Sequence, residues 1–168
     1  VFDAFGDSVI ESIFVEVGDT PSVIDEIEIQ YTSPVRVGTT LQCIASASDI
    51  DSEDPVLSYA WYDHTGVLLG TGEELIISSI NSTPNEDITC IATATTANAS
   101  VTAETLTTVE NTPPETPLIE LTPTQVYSYD TLTCSPTYTF DADEQTLSIE
   151  YRWYVDGVLQ PNTADTFS

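Results

Sequence analysis

Apolar and polar residues alternate over short runs through most of the chain. Ile27, Ile29 and Tyr31 alternate with Glu26, Glu28 and Gln30. The same period of two carries Leu41, Cys43, Ala45 and Ala47, then Leu57, Tyr59 and Trp61, and later Ile88, Cys90, Ala92 and Ala94. Such alternation puts one set of side chains on one face of an extended strand. Turn formers separate the runs: Ser33 and Pro34, Gly38, residues 49–55, 64–66, 70–72 and 81–85. Thr and β-branched residues are plentiful and suit a pleated, half-exposed surface. No segment has the length, periodicity and caps of a long amphipathic helix. Short strands separated by turns predict an all-β chain folded as a β-sandwich.

The pattern also repeats. Asp49, Ile50 and Asp51 return as Asp141, Ala142 and Asp143, 92 positions later. Tyr59, Trp61 and Tyr62 return as Tyr151, Trp153 and Tyr154 at the same offset. Thr40, Leu41 and Cys43 return as Thr131, Leu132 and Cys134, offset by 91. Asp19, Thr20 and Pro21 match Asn111, Thr112 and Pro113, again at 92. This self-similarity divides the chain into the tail of one repeat (1–17), one whole repeat (18–109) and the first part of another (110–168). Residues 9–17 then correspond to residues 101–109 and are expected to be strand. The competing reading is an N-terminal helix, because Phe2, Phe5, Val9 and Ile13 have helical spacing.

Charge narrows the function classes. Against 28 acidic residues stand 2 basic ones, Arg36 and Arg152, for a net charge of −26. No groove that follows phosphates can be built from two arginines, which excludes nucleic acid as a partner. Anionic membranes would repel this surface, and no apolar run is long enough for membrane insertion. Without Lys there is no Schiff base, P-loop lysine or lysine isopeptide crosslink. At −26 the chain repels itself and stays soluble, and salt screens that repulsion over about 8–10 Å. The hydrophobic share of 40% is close to the globular norm, so the chain is expected to fold despite its charge.

Cys43, Trp61 and Cys90, with the linker of Asn111, Thr112, Pro113 and Pro114 and the second set Cys134 and Trp153, resemble tandem bacterial immunoglobulin-like repeats of large secreted or cell-surface proteins. The resemblance covers nearly the whole chain and implies tandem immunoglobulin-like β-sandwich repeats. It implies a disulfide between Cys43 on strand B and Cys90 on strand F, with Trp61 on strand C packed over it, and Trp153 as the matching core residue of the next copy. A disulfide in turn implies an oxidising, extracellular or cell-surface location. Ile88 departs from the pattern, standing where many such domains carry the corner tyrosine. Polycystic-kidney-disease-type domains are a poorer match, since residues 61–66 and 153–157 lack their Trp-Asp-Phe-Gly-Asp-Gly run. Cys134 has no mate within the chain. Residues 110–168 are expected to lack strands E, F and G.

The acidic clusters are the candidate sites. Asp49, Asp51, Glu53 and Asp54 occupy the B–C loop of one repeat, and Asp141, Asp143 and Glu144 that of the next. In this fold that loop lies near the interdomain linker, so Asp19, and Glu110 with Glu115, are placed to converge on the two clusters. Carboxylate oxygens gathered at a joint suit Ca²⁺, which takes six to eight oxygen ligands. The same loops are also expected to be acidic simply because the whole surface is. Asn81 and Asn98 open two N-glycosylation triplets. Tyr62, Tyr127, Tyr129 and Tyr154 are candidates for a surface-glycan platform, or for ordinary packing. His64 falls in a turn and has no counterpart in the next repeat, which argues against a catalytic triad and against an enzyme. The expected function is a mechanical, non-catalytic module of a stalk, fibre or adhesin spacer, with neighbouring copies of the repeat as partners. The alternatives are a filament subunit joined by strand complementation and a glycan-binding module.

Overall fold

A computed structural model describes residues 4–5, 10–51 and 54–168. Phe2, Val9 and Glu53 lie outside the described residues, so the readings placed on them are not carried further. Every described element is a strand, and every pairing is antiparallel. Among the described residues no helix is long and apolar enough to cross a membrane.

Residues 18–109 form two facing sheets. The first holds β1 (Val23–Gln30), β2 (Thr40–Ser48) and β5 (Glu74–Ile76) in the order β1-β2-β5. The second holds β3 (Val56–Tyr62), β4 (Leu68–Thr71), β6 (Asp87–Thr95) and β7 (Ser100–Thr108) in the order β4-β3-β6-β7. The alternation read from the sequence becomes the inner face: Ile88, Cys90, Ala92 and Ala94 of β6 are all buried. Leu41 and Cys43 of β2 meet them from the other sheet, and Val35, Trp61, Leu75, Ile77 and Val109 complete the core. The Cys43–Cys90 disulfide joins β2 to β6 and so ties one sheet to the other. Trp61 lies beside Cys90 in register, has no solvent exposure, and donates its indole N–H to the Gly72 carbonyl at 3.0 Å. That bond satisfies the one polar atom of an otherwise apolar side chain.

Residues 110–168 repeat some of these contacts without closing a core. β8 (Leu118–Thr122), β9 (Leu132–Tyr138) and β12 (Thr166–Phe167) make one sheet in the order β12-β9-β8. A short hairpin pairs β10 (Tyr154–Val155) with β11 (Val158–Leu159). Its turn places Asp156 and Gly157 at φ 49° and 78°, the left-handed pair that a two-residue hairpin needs. Trp153 donates to the Ala164 carbonyl at 2.9 Å, as Trp61 does to Gly72. The Cys134 amide donates to Asp165 at 2.8 Å, as that of Cys43 does to Glu73. β12 pairs with β9 as β5 pairs with β2. The expectation that this segment lacks a strand in the E position is therefore corrected, because Thr166 and Phe167 fill it.

The two segments differ where a partner strand is missing. In the first, β3 pairs along its length with β6, from Val56↔Thr95 to Tyr62↔Thr89. In the second, residues 148–154 have the matching sequence pattern but only Tyr154 is strand, and among the described residues no strand pairs with this run as β6 does with β3. A strand is defined by the ladder it makes, so the same pattern without a partner stays irregular. No apolar residue of 110–168 is buried. Residues 10–17 are also described without strand, and Ile13, Phe14, Val15 and Val17 are all more than four-fifths exposed, at 88%, 94%, 82% and 86%.

Candidate functional site

Four of the acidic residues singled out by the sequence, Asp49, Asp51, Asp141 and Asp143, hold two linker stretches or the loops beside them. At the first, the Thr20 amide donates to Asp51 Oδ2 at 2.7 Å, and the Ser22 hydroxyl, in a buried residue, donates to Asp49 Oδ2 at 3.0 Å. Asp49 Oδ1 also accepts the Asp51 amide at 2.8 Å, which sets the loop that presents Asp51. At the second joint the Thr112 amide donates to Asp143 Oδ2 at 2.6 Å, and the Thr112 hydroxyl to Asp143 Oδ1 at 3.3 Å. Asp141 Oδ1 accepts the Asp143 amide at 2.9 Å. Both linker-to-loop bonds span 31 residues, and the residues involved differ by the sequence offset of 92. Each joint follows one design. The first aspartate organises its own loop, and the second captures the backbone of the incoming linker just before a proline.

Proline explains why the capture falls where it does. Pro21 and Pro113 have no N–H, so Thr20 and Thr112 carry the last amides before each proline interrupts the run of donors. A carboxylate acceptor makes such a bond about twice as strong as a neutral one. Asp143→Ala is expected to weaken the second joint by about 1.5–3 kcal/mol, the range for hydrogen bonds to charged groups. Hydrogen exchange at the Thr112 amide reads this directly, and unchanged protection would disprove it.

The other candidates are not gathered with these pairs. Asp19, Asp54 and Glu144 are exposed. Glu110 reaches back to Arg36, with its carboxylate 3.6 Å from the guanidinium, while its amide donates to the Val35 carbonyl at 2.7 Å. Glu115 is held through its amide, which donates to the Phe140 carbonyl at 2.9 Å. Among the described residues no three His, Cys, Asp or Glu side chains are grouped so as to hold a metal ion. The Ca²⁺ expectation thus rests on the sequence pattern. Thr20, Ser22 and Thr112 went unnoticed as functional residues. The signal was present, because Thr20 and Thr112 are themselves a repeat pair.

Other candidates sit apart. His64, in the turn from β3 to β4, has Nδ1 2.9 Å from Glu86 Oε2. Asp63 organises that turn: its Oδ1 accepts from the Thr65 hydroxyl at 2.7 Å and from the Thr65 and Val67 amides at 2.8 Å each. These bonds, the Thr65 hydroxyl first and the Val67 amide next, hold the Asp63 carboxyl below its ordinary 3.8. A carboxyl lowered by folding stabilises the turn above that ordinary value and loses the effect as pH falls through the lowered one. The Thr65 and Val67 amides should therefore keep their protection at pH 5 and lose it only well below pH 4. Loss near pH 5 would contradict this. Asn98 is exposed on the β6–β7 turn, whereas Asn81 has both amide atoms engaged, accepting from Ser78 and donating to Ile76. Tyr127 and Tyr129 stack, with ring centroids 5.8 Å apart and planes 7° from parallel, on an exposed loop.

Cys134, a free half-buried thiol, lies in an apolar groove of about 400 Å³ lined by Ile119, Leu121, Pro136, Ile149 and Trp153 among others. In the first segment the corresponding inner face is covered by β6. No family model, curated protein or solved structure matches this chain.

Proposed function

We propose that this chain is a load-bearing stretch of an extracellular array of immunoglobulin-like sandwiches, a non-catalytic spacer in a surface stalk, fibre or adhesin. The observation that carries this reading is the recurrence of the linker clasp: Thr20 on Asp51, then Thr112 on Asp143, each behind an aspartate that shapes the loop. A contact that recurs at the period of the sequence, at the points where one segment gives way to the next, is what a stiffened joint requires. The sheet-to-sheet disulfide over a buried indole and the order β4-β3-β6-β7 opposite β1-β2-β5 support the immunoglobulin-like assignment. The disulfide also supports an oxidising, extracellular setting.

Within segment 18–109 the two joints lie at opposite ends of β2. Thr20 meets the loop after Ser48, while Glu110 meets Val35 and Arg36 ahead of Thr40. Nine strand residues separate these ends by about 30 Å. Force entering at one joint leaves at the far end of the sandwich, along the strands, as in an end-to-end rod. Small-angle scattering tests this. The wild-type chain should scatter as one elongated body, and Asp143→Ala should add the signature of a flexible hinge. Wild-type scattering already as flexible as the variant would overturn the stiff-joint reading. Retention on a glycan array, lost on Tyr127→Ala and Tyr129→Ala, would replace it with the adhesion-module reading.

A further inference from the structure

We infer that the outer face of the β4-β3-β6-β7 sheet is the surface through which one copy of this chain meets a second copy side by side. This contact goes beyond the spacer reading, because the joints act at the ends of the strands and this face lies along their sides.

The register defines the face. Alternate residues of β3, β6 and β7 build the core, so the residues between them point outward. One row across the sheet is Ala60, Ile91 and Glu104, and the next is Tyr62, Thr89 and Leu106. The rows beyond Ala60, Ser58 with Thr93 and Thr102 and then Val56 with Thr95 and Ser100, hold only hydroxyl and apolar side chains. Leu68 of β4 pairs with Tyr62 and extends the apolar strip to the sheet edge. Val56, Leu68 and Leu106 are 70%, 53% and 58% exposed. A shallow concavity of about 540 Å³ opens between Tyr62, Ile91 and Leu106.

What distinguishes this face is the charge it lacks. The chain has 28 acidic residues, yet Asp87 and Glu104 are the only ones that the strands of this sheet present outward. Asp87 lies at the end of β6, with its carboxylate accepting from the Thr108 hydroxyl at 2.6 Å, and Glu104 lies on the edge strand β7. Both are rim positions, where a charge keeps its water. The outer face of the other sheet carries Glu26, Glu28 and Glu74. Nor does the fold impose neutrality here. By the offset of 92, Ser58 and Ala60 correspond to Glu150 and Arg152, a charged pair 3.8 Å apart. The neutral face is particular to segment 18–109.

The missing charge selects the partner. A cationic partner would gain most on the acidic faces and little on this one. A second copy carries the same −26, and two such polyanions approach closely only where neither presents carboxylates to the other. Two copies of one neutral face meet that condition through a twofold contact, the commonest symmetry of self-association. The size is sufficient. Strands of up to nine residues, four abreast, give roughly 500 Å² in plan, so a pair buries on the order of 1,000 Å², the threshold for a specific contact and within the reversible class. Copies joined in this way lie alongside one another, so arrays would bundle laterally rather than lengthen.

Sedimentation of the full chain over a range of protein and salt concentrations tests this contact. The wild-type chain should pair reversibly, and pairing should tighten as salt screens the repulsion between copies. Ala60→Glu and Thr93→Glu, each at an outward position that leaves the core intact, should weaken pairing about tenfold or more, because like charges then meet across the contact. Ile44→Glu, on the outer face of the other sheet, should leave pairing unchanged. Hydroxyl-radical footprinting of the wild-type chain needs no variant: Tyr62 and Leu106 should become protected as pairing proceeds, while Ile44 and Ile76 should not. A chain that stays monomeric at every salt concentration would overturn the inference. So would pairing that loosens with salt, variants at 60 and 93 that pair as the wild type does, or protection at Ile44 and Ile76 instead. None of these readings depends on the hinge at Asp143, which tests the stiff joint.

Discussion

Replacing Cys43 and Cys90 together by alanine is expected to destabilise segment 18–109 by about 4 kcal/mol, the chain-entropy value for a closed loop of 47 residues. The cost is large because the bond joins β2 to β6 across the two sheets, so its removal frees the 47-residue stretch it closes. Both side chains are also fully buried. For a unit of this size the melting temperature should fall by roughly 15–30 °C. Small domains stand only about 5–15 kcal/mol above unfolding, so the reduced protein would be close to unfolded at 37 °C. The net charge of −26 adds to the strain, because self-repulsion already opposes compaction. Calorimetry of the oxidised chain against the double variant checks this, and a fall of under 5 °C would refute it. Added salt should recover part of the loss by screening.

Trp61→Ala is the second large effect. The indole has no solvent exposure, packs among Leu41, Ile77 and the disulfide, and uses its N–H on the Gly72 carbonyl. Truncation leaves a cavity in a core that the disulfide keeps from collapsing, and the expected cost is about 3–5 kcal/mol. Trp153→Ala provides the internal contrast. Its ring is half-buried, stacked on Phe167 at a centroid distance of 5.3 Å, and has no closed core around it. It should cost well under half as much in the isolated molecule. Urea unfolding followed by hydrogen exchange in each segment separates the two, and equal losses would contradict the difference in packing. Trp61 and the disulfide are in contact, so the triple variant should lose less than the sum of the parts.

The fold of 18–109 was legible because each strand is amphipathic with a period of two and each turn carries its own residues. Cys43, Trp61 and Cys90 were legible as a set through the resemblance to immunoglobulin-like repeats, and the Cys43–Cys90 bond is present. The clasp was only half legible. Asp49, Asp51, Asp141 and Asp143 stood out as charge, but charge alone could not separate a cation cage from an acceptor for a linker amide. That depends on where Thr20 and Thr112 arrive, thirty-one residues away in each case. Asp19, Asp54 and Glu144 show the same limit from the other side, since they match the pattern and remain exposed.

Local chemistry, then, decided which residues can be strand, which must be turn, and that the pattern recurs after 91 or 92 positions. Whether a strand-like run becomes a strand was decided by the tertiary structure alone. Residues 56–62 and 148–154 have nearly the same pattern, yet only the first run is strand throughout, because β6 lies beside it. Hydrogen bonds of a sheet are made between distant parts of a chain, so no reading of one segment by itself can supply them.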